Sequence, residues 1–146
     1  MATSEQLLEL YNDLTWENYF SISEAIVKFD KHNIENELMR QASQYSYWQG
    51  LCSMAKRDLD YATLKFTQFV ASTRKNYKEE SIKKLTAKDL DDLVESTDSY
   101  TLYNKSIMDA NYKYTMIKGL VQALEQKKDM LQQLSANNRA ETKLYN

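Results

Sequence analysis

The stretch YSYWQGLCSMAKRDLDYATLKFTQF, residues 45–69, decides the fold. Its apolar residues Tyr45, Trp48, Cys52, Ala55, Leu59, Ala62, Phe66 and Phe69 step by alternating threes and fours. That is a heptad seam, the pattern of a helix that buries one stripe. Leu38 extends the seam one heptad upstream, where Gln41 interrupts it. The spacing predicts a single helix over residues 33–77, roughly 65 Å long at the usual helical rise.

Working outward, a second seam lies at Tyr100, Tyr103, Ile107, Ala110, Tyr114, Ile117, Val121 and Leu124. Leu131 and Leu134 carry an apolar stripe onward, with a register shift near Lys127-Lys128. This predicts a second long helix over residues 86–136. Thr86 with Asp89 forms a capping box at its start, and Asp89, Asp91 and Asp92 put negative charge where the helix dipole favours it. Residues 76–85 form the reversal between the two helices. The polar tail, 137–146, is expected to fray. Upstream, Thr3 with Gln6 opens a first short helix carrying Leu7, Leu8, Leu10, Tyr11 and Leu14. Ser21 with Glu24 opens a second, and Asp30-Lys31-His32-Asn33 is a turn, because aspartate and asparagine compete for backbone hydrogen bonds.

The rest of the chain agrees with this pattern. Its 146 residues include no proline and only two glycines, Gly50 and Gly119, so it has little means of turning often. The expected fold class is all-α: one helical domain over residues 1–146, with a long antiparallel hairpin and short helices in 1–32 that pack on it or on a neighbour. Tyr47, Leu51, Tyr61, Leu64, Val70, Met116 and Leu120 widen the apolar stripes beyond a two-helix seam. Self-association through helix–helix seams is the economical way to cover them, so a homo-oligomer is expected. Gly50 and Gly119 lie inside helices and are read as points where another backbone comes close. The expected packing and oligomer contacts are Trp48, Gly50, Tyr114, Ile117, Gly119, Val121 and Leu124.

Little in the sequence suits catalysis. One cysteine and one histidine leave no disulfide, no cysteine-rich zinc site and no obvious acid–base dyad. Cys52 sits on the seam as a small apolar residue with no basic partner nearby in sequence, and His32 sits at a helix start. The run Asp89, Asp91, Asp92 and Glu95 lacks the alternating oxygens and the glycine of a calcium loop, and it reads as compensation of a helix dipole. The expectation is a protein that is not an enzyme and has no cofactor or metal. No apolar run approaches a membrane span and no secretory signal is visible, so a cytoplasmic protein is expected.

Charge is segregated along the chain although the total is only −2. Residues 1–30 hold six acids against Lys28 alone, a net −5. Residues 31–88 hold eleven basic residues against six acids, a net +5. Residues 89–104 return to −5 and residues 105–146 to +3. The basic reach carries Lys56, Arg57, Lys65, Arg74, Lys75, Lys78, Lys83, Lys84 and Lys88, with Tyr61 and Tyr77 off the seam among them. Cations that hold phosphates, interleaved with rings that stack bases, are what a single-stranded nucleic acid surface needs. A solvated helix face accounts for the same residues.

One resemblance bears on this choice. The long first helix carries Ala55-Lys56-Arg57-Asp58-Leu59-Asp60-Tyr61, and the second carries a Gly-x-x-x-Ala segment, Gly119 to Ala123, with a late Arg139-x-Glu141. In these features, over roughly residues 34–141, the sequence resembles the phage recombination mediator family of the UvsY type. The resemblance implies a small helical protein without enzymatic activity that binds single-stranded DNA and assembles into rings. It also implies help in loading a RecA-like recombinase onto strands coated by single-strand-binding protein. Lys56 matches the family's basic DNA-contacting patch, with Arg57 beside it. Asp58 stands near where the family has a further basic residue, and Ala62-Thr63-Leu64 continues the helix where the family has a glycine-containing turn.

The expected nucleic-acid contacts are therefore Lys56, Arg57, Tyr61, Lys65, Arg74, Lys75, Lys78, Lys83 and Lys84. The expected partners are single-stranded DNA, a RecA-like recombinase and single-strand-binding protein. The alternative is a helical scaffold, adaptor or phage structural protein that acts through protein contacts only.

Overall fold

A computed structural model of the chain describes residues 4–145. Five helices follow one another: α1 (Ser4–Asp13), α2 (Trp16–Val27), α3 (Ile34–Glu80), α4 (Ala87–Glu95) and α5 (Asp98–Tyr145). No strand occurs among the described residues, so the all-α class holds. None of these helices is long and apolar enough to cross a membrane. The chain divides into two compact units, one of residues up to Met54 with Thr115 onward, the other of Ala55–Tyr114.

The local signals act much as the sequence suggests, with four differences. α2 begins at Trp16 rather than near Ser21. Its start is held by Asn18, whose Oδ1 accepts from the Thr15 N–H at 2.8 Å while its amide donates to the Asp13 carbonyl at 2.8 Å. The Thr3 half of the first capping box lies outside the described residues. The helix expected over 86–136 is broken at Ser96-Thr97. There the Ser96 and Thr97 hydroxyls donate to the Leu93 and Val94 carbonyls at 2.8 and 2.7 Å. Thr97 Oγ1 also accepts from the Tyr100 N–H at 3.2 Å and so caps α5. Finally, the stretch after Asn137 is helical: α5 runs to Tyr145.

The first unit has a true core. Tyr11, Leu14, Ile34, Trp48, Leu51 and Cys52 are buried in it with Met116, Ile117, Leu120, Val121, Leu124 and Leu131. The fourth difference lies here. The stripe on α5 does not shift register at Lys127, because Lys127 itself is a core residue, only 3% exposed. Its ammonium donates to the Ile26 carbonyl at 3.0 Å and the Lys28 carbonyl at 3.4 Å, and lies 3.2 Å from Glu37 Oε2. The last carbonyls of a helix have no partners within it and carry partial negative charge, so a buried cation is well placed at the end of α2. Gln41, also buried, donates its amide to the Leu124 carbonyl at 2.6 Å.

The second unit is thinner. Only Ala55, Leu90 and Val94 are fully buried in it. The seam residues Leu59, Ala62, Phe66 and Phe69 of α3 and Tyr100, Tyr103, Ile107, Ala110 and Tyr114 of α5 are half-buried. Phe66 meets Tyr100 at 5.4 Å between ring centroids, and Phe69 stacks on Tyr103 at 4.7 Å. α4 starts as its sequence signals: Thr86 Oγ1 accepts from the Asp89 N–H at 3.2 Å, and Asp89 Oδ2 accepts from the Thr86 N–H at 3.0 Å.

Candidate nucleic-acid interface

The residues expected to meet nucleic acid all fall in the second unit, on α3 and on the connection to α4. The helix sorts them. Arg57, Tyr61, Gln68 and Lys75 follow one another at steps of four or seven residues and share a face of α3, with Leu64, Ala71 and Lys78 at one margin and Lys65 at the other. All are exposed, Tyr61 by 58%. Lys65 Nζ sits 4.6 Å from the centroid of the Tyr61 ring, so cation and ring are already neighbours. Beside them is an open groove of about 290 Å³ lined by Asp58, Tyr61, Ala62, Lys65, Tyr103 and Ser106.

Lys56 and Arg74 project from a different side of α3, and both have acidic partners. Lys56 Nζ lies 2.8 Å from Asp60 Oδ1, one helical turn on, and 5.9 Å from the Tyr114 ring centroid. The hydrogen bond to Asp60, and then its charge, push the Lys56 ammonium above its ordinary pKa. Arg74 Nη1 lies 3.1 Å from Asp91 Oδ1 of α4. Lys75 is also paired, loosely, with Glu79 at 3.9 Å. Arg57, Lys78, Lys83 and Lys84 are exposed and form no ion pair among the described residues. Surface pairs of this kind are worth about 0–1 kcal/mol, so a phosphate displaces such a carboxylate at little cost. The sequence put Lys56 at the centre of the patch. The structure places the uncompensated cations one residue further round the helix, from Arg57.

Sequence reasoning missed Leu64 as part of this face and Tyr103 and Ser106 as walls of the groove. A second series of steps by three and four, Arg57, Tyr61, Leu64, Gln68, Ala71, Lys75 and Lys78, was present in the sequence beside the main seam.

The expected packing and oligomer contacts divide. Trp48, Ile117, Val121 and Leu124 are buried in the core of the first unit, so they pack within the chain rather than presenting a surface to another copy. Tyr114 is half-buried, under Lys56. At Gly119 the close neighbour is a side chain and not a backbone: a Cβ there would lie 2.7 Å from the Tyr19 hydroxyl. At Gly50, which is exposed, a Cβ would meet nothing within 4 Å, so no segment approaches it among the described residues.

The groups weighed for catalysis fall in plain surroundings. Cys52 is buried, and burial pushes its thiol pKa up against a smaller opposing influence from Lys118. His32 is exposed in the turn before α3, its backbone N–H donating to Asp30 Oδ1 at 2.9 Å. Asp89 caps α4 and Asp91 faces Arg74. Among the described residues no group of three or more histidine, cysteine, aspartate or glutamate side chains is placed to hold a metal. Comparison with protein-family models, curated proteins and solved structures finds no match for this chain.

Proposed function

We propose that this chain is a non-enzymatic recombination mediator that binds single-stranded DNA on the Arg57–Lys78 face of α3. In this role it acts as a homo-oligomer in the cytoplasm of a host cell, with α3 and α5 paired as an antiparallel hairpin. It assists the loading of a RecA-like recombinase onto strands held by single-strand-binding protein. The observation that carries the DNA part is the alignment of Arg57, Tyr61, Lys65, Lys75 and Lys78 along one exposed region, with the groove under Tyr61 at its side. A flexible strand needs cations at intervals and a ring with a free face, without any built pocket for one base. The recombinase and single-strand-binding protein rest on the resemblance in sequence alone.

The test is fluorescence anisotropy of a labelled oligo-dT across a salt series. The parent chain binds, and log affinity falls linearly with log salt, by about 0.7 for each phosphate neutralised. Arg57→Glu with Lys75→Glu weakens binding to all sequences alike and flattens that slope, with helical content unchanged because both side chains are exposed. Lys56→Glu has the smaller effect, since Lys56 projects from a different side of α3. Absence of binding by the parent at low salt refutes the DNA part.

A scaffold acting through protein contacts is the second reading. The observation in its favour is that Lys56, Arg74 and Lys75 each already face a carboxylate of the same chain. Under it, the Arg57–Lys78 face meets protein and the anisotropy stays flat.

A further inference from the structure

The least soluble side chains of α2 face water. Phe20 is 72% exposed and Trp16 is 49% exposed. They are four residues apart and continue in the same row to Glu24, with Glu17 alongside. α2 buries no residue fully, so this face has no role in the core. The rings are nevertheless held in place. Tyr19 touches both, at 5.4 Å from Trp16 and 5.4 Å from Phe20, and its own hydroxyl is seated at Gly119. Exposed rings that already rest against a third ring suit an interface anchor, because aromatic side chains lose little entropy when they are covered.

The charge around the rings points to what covers them. Glu17 and Glu24 flank Phe20, and Glu5, Glu9 and Asp13 of α1 are exposed in the same unit. The partner must therefore be basic and must offer cations to two aromatic faces. The chain itself carries such a surface: Arg57, Lys65, Lys75 and Lys78 on α3, with Tyr61 and Leu64 supplying apolar contact between them. Both surfaces are helix faces patterned by steps of three and four, so the ridge of one fits along the other.

We propose that the Trp16–Phe20 face of α2 in one copy docks on the Arg57–Lys78 face of α3 in a second copy. The Trp16 and Phe20 rings lie against the Arg57 guanidinium and the α3 ammonium groups, and Glu17 and Glu24 pair with the lysines. The contact joins two different faces, so each copy offers one of each and the association is head-to-tail. The second consequence rests on the reading of α3 as the DNA face. The acidic aromatic helix and the DNA strand then take the same cations, so strand binding and this contact exclude one another at any one α3 face; α2 acts as a displaceable cover, and a DNA-bound homo-oligomer is held by contacts other than this one.

Two variants of the full chain test this. One removes the rings, Trp16→Ser with Phe20→Ser. The other reverses the cations, Arg57→Glu with Lys75→Glu. All four positions are exposed, so both variants keep the helical circular dichroism of the parent. Each variant alone has a lower light-scattering mass than the parent. Mixed one to one they form a two-chain complex, since the ring-less variant still offers its basic face and the reversed one still offers its rings. A mixture that scatters only as its separate parts overturns the docking, as does a ring-less variant with the parent's mass. For the displacement, the ring-less variant binds oligo-dT several-fold more tightly than the parent, and equal affinity overturns it. If neither binds DNA, the reading of α3 as a DNA face fails, while the mixing result still decides the docking.

Discussion

Single residues show how the helical pattern was used. Gly50 and Gly119 have the same local cost, roughly 1 kcal/mol each relative to alanine in a helix. Neither has positive φ, and only Gly119 has a neighbour within reach of a Cβ. Gly50→Ala is therefore expected to stabilise the chain by about 1 kcal/mol in urea unfolding. Gly119→Ala alone gains less, because the Tyr19 hydroxyl must move. In a Tyr19→Phe background the nearest ring atom, Cζ, is at 3.7 Å, and the same substitution recovers the full gain. Equal effects of Gly119→Ala in the two backgrounds would show that Tyr19 does not set the constraint. Lys127 is the opposite case, a charge kept in the core by three acceptors. Lys127→Ala strands Glu37 and the end of α2 and is expected to cost about 3–5 kcal/mol. Replacing both partners, Lys127→Met with Glu37→Leu, restores most of that in the same unfolding measurement.

At the scale of elements, the clearest device is the start of α4. Hydrogen bonds from the Thr86 backbone, then from its side chain, hold the Asp89 carboxyl below its ordinary pKa. A depressed carboxylate contributes stability that is present above the ordinary carboxylate pKa and lost as pH falls through the folded value. An NMR titration is expected to show Asp89 protonating at lower pH than an aspartate in an unstructured peptide. In Thr86→Ala the side-chain bond is gone and the midpoint moves upward. An unmoved midpoint would assign the shift to the backbone bond alone. The break between α4 and α5 has the same chemistry in reverse. Ser96 and Thr97 take carbonyls that a continuous helix would use, and Thr97 opens the next helix. The run Ser96-Thr97-Asp98-Ser99 carried that signal, but the heptad seam starting at Tyr100 masked it, because a periodic stripe says nothing about interruptions just upstream.

Over the whole molecule, burial is uneven. The first unit encloses a core drawn from α1, α3 and α5 with Leu14 between α1 and α2, and α5 there buries Met116, Ile117, Leu120, Val121, Leu124 and Leu131. In the second unit the same helix shows half-buried residues at every seam position from Tyr100 to Tyr114. Backbone protection follows enclosed apolar contacts. Hydrogen exchange is therefore expected to be slower by orders of magnitude over residues 116–131 than over residues 100–110. The docking proposed above is expected to raise protection over residues 57–78 at high concentration and to lose it on dilution. Uniform exchange along α5 in dilute solution would contradict this division.

What the sequence determined by itself was local and periodic. The 33–77 helix, found as Ile34–Glu80, the turn at residues 30–33 and the Thr86–Asp89 cap follow from residues within a few positions of one another. The absence of proline left few alternatives. The candidate interface was half legible: the basic residues and Tyr61 were visible, but not which cations were already paired. Asp60 was within one turn of Lys56 and readable, whereas Asp91 reaches Arg74 only because α4 folds back beside α3. Only the tertiary structure decided that a lysine belongs in the core, that a tyrosine hydroxyl explains Gly119, and that Trp16 and Phe20 stay uncovered. Helical periodicity assigns residues to faces of one helix. Which face meets which depends on groups distant in sequence, as Lys127 and Ile26 are, and their interaction exists only after the chain has folded.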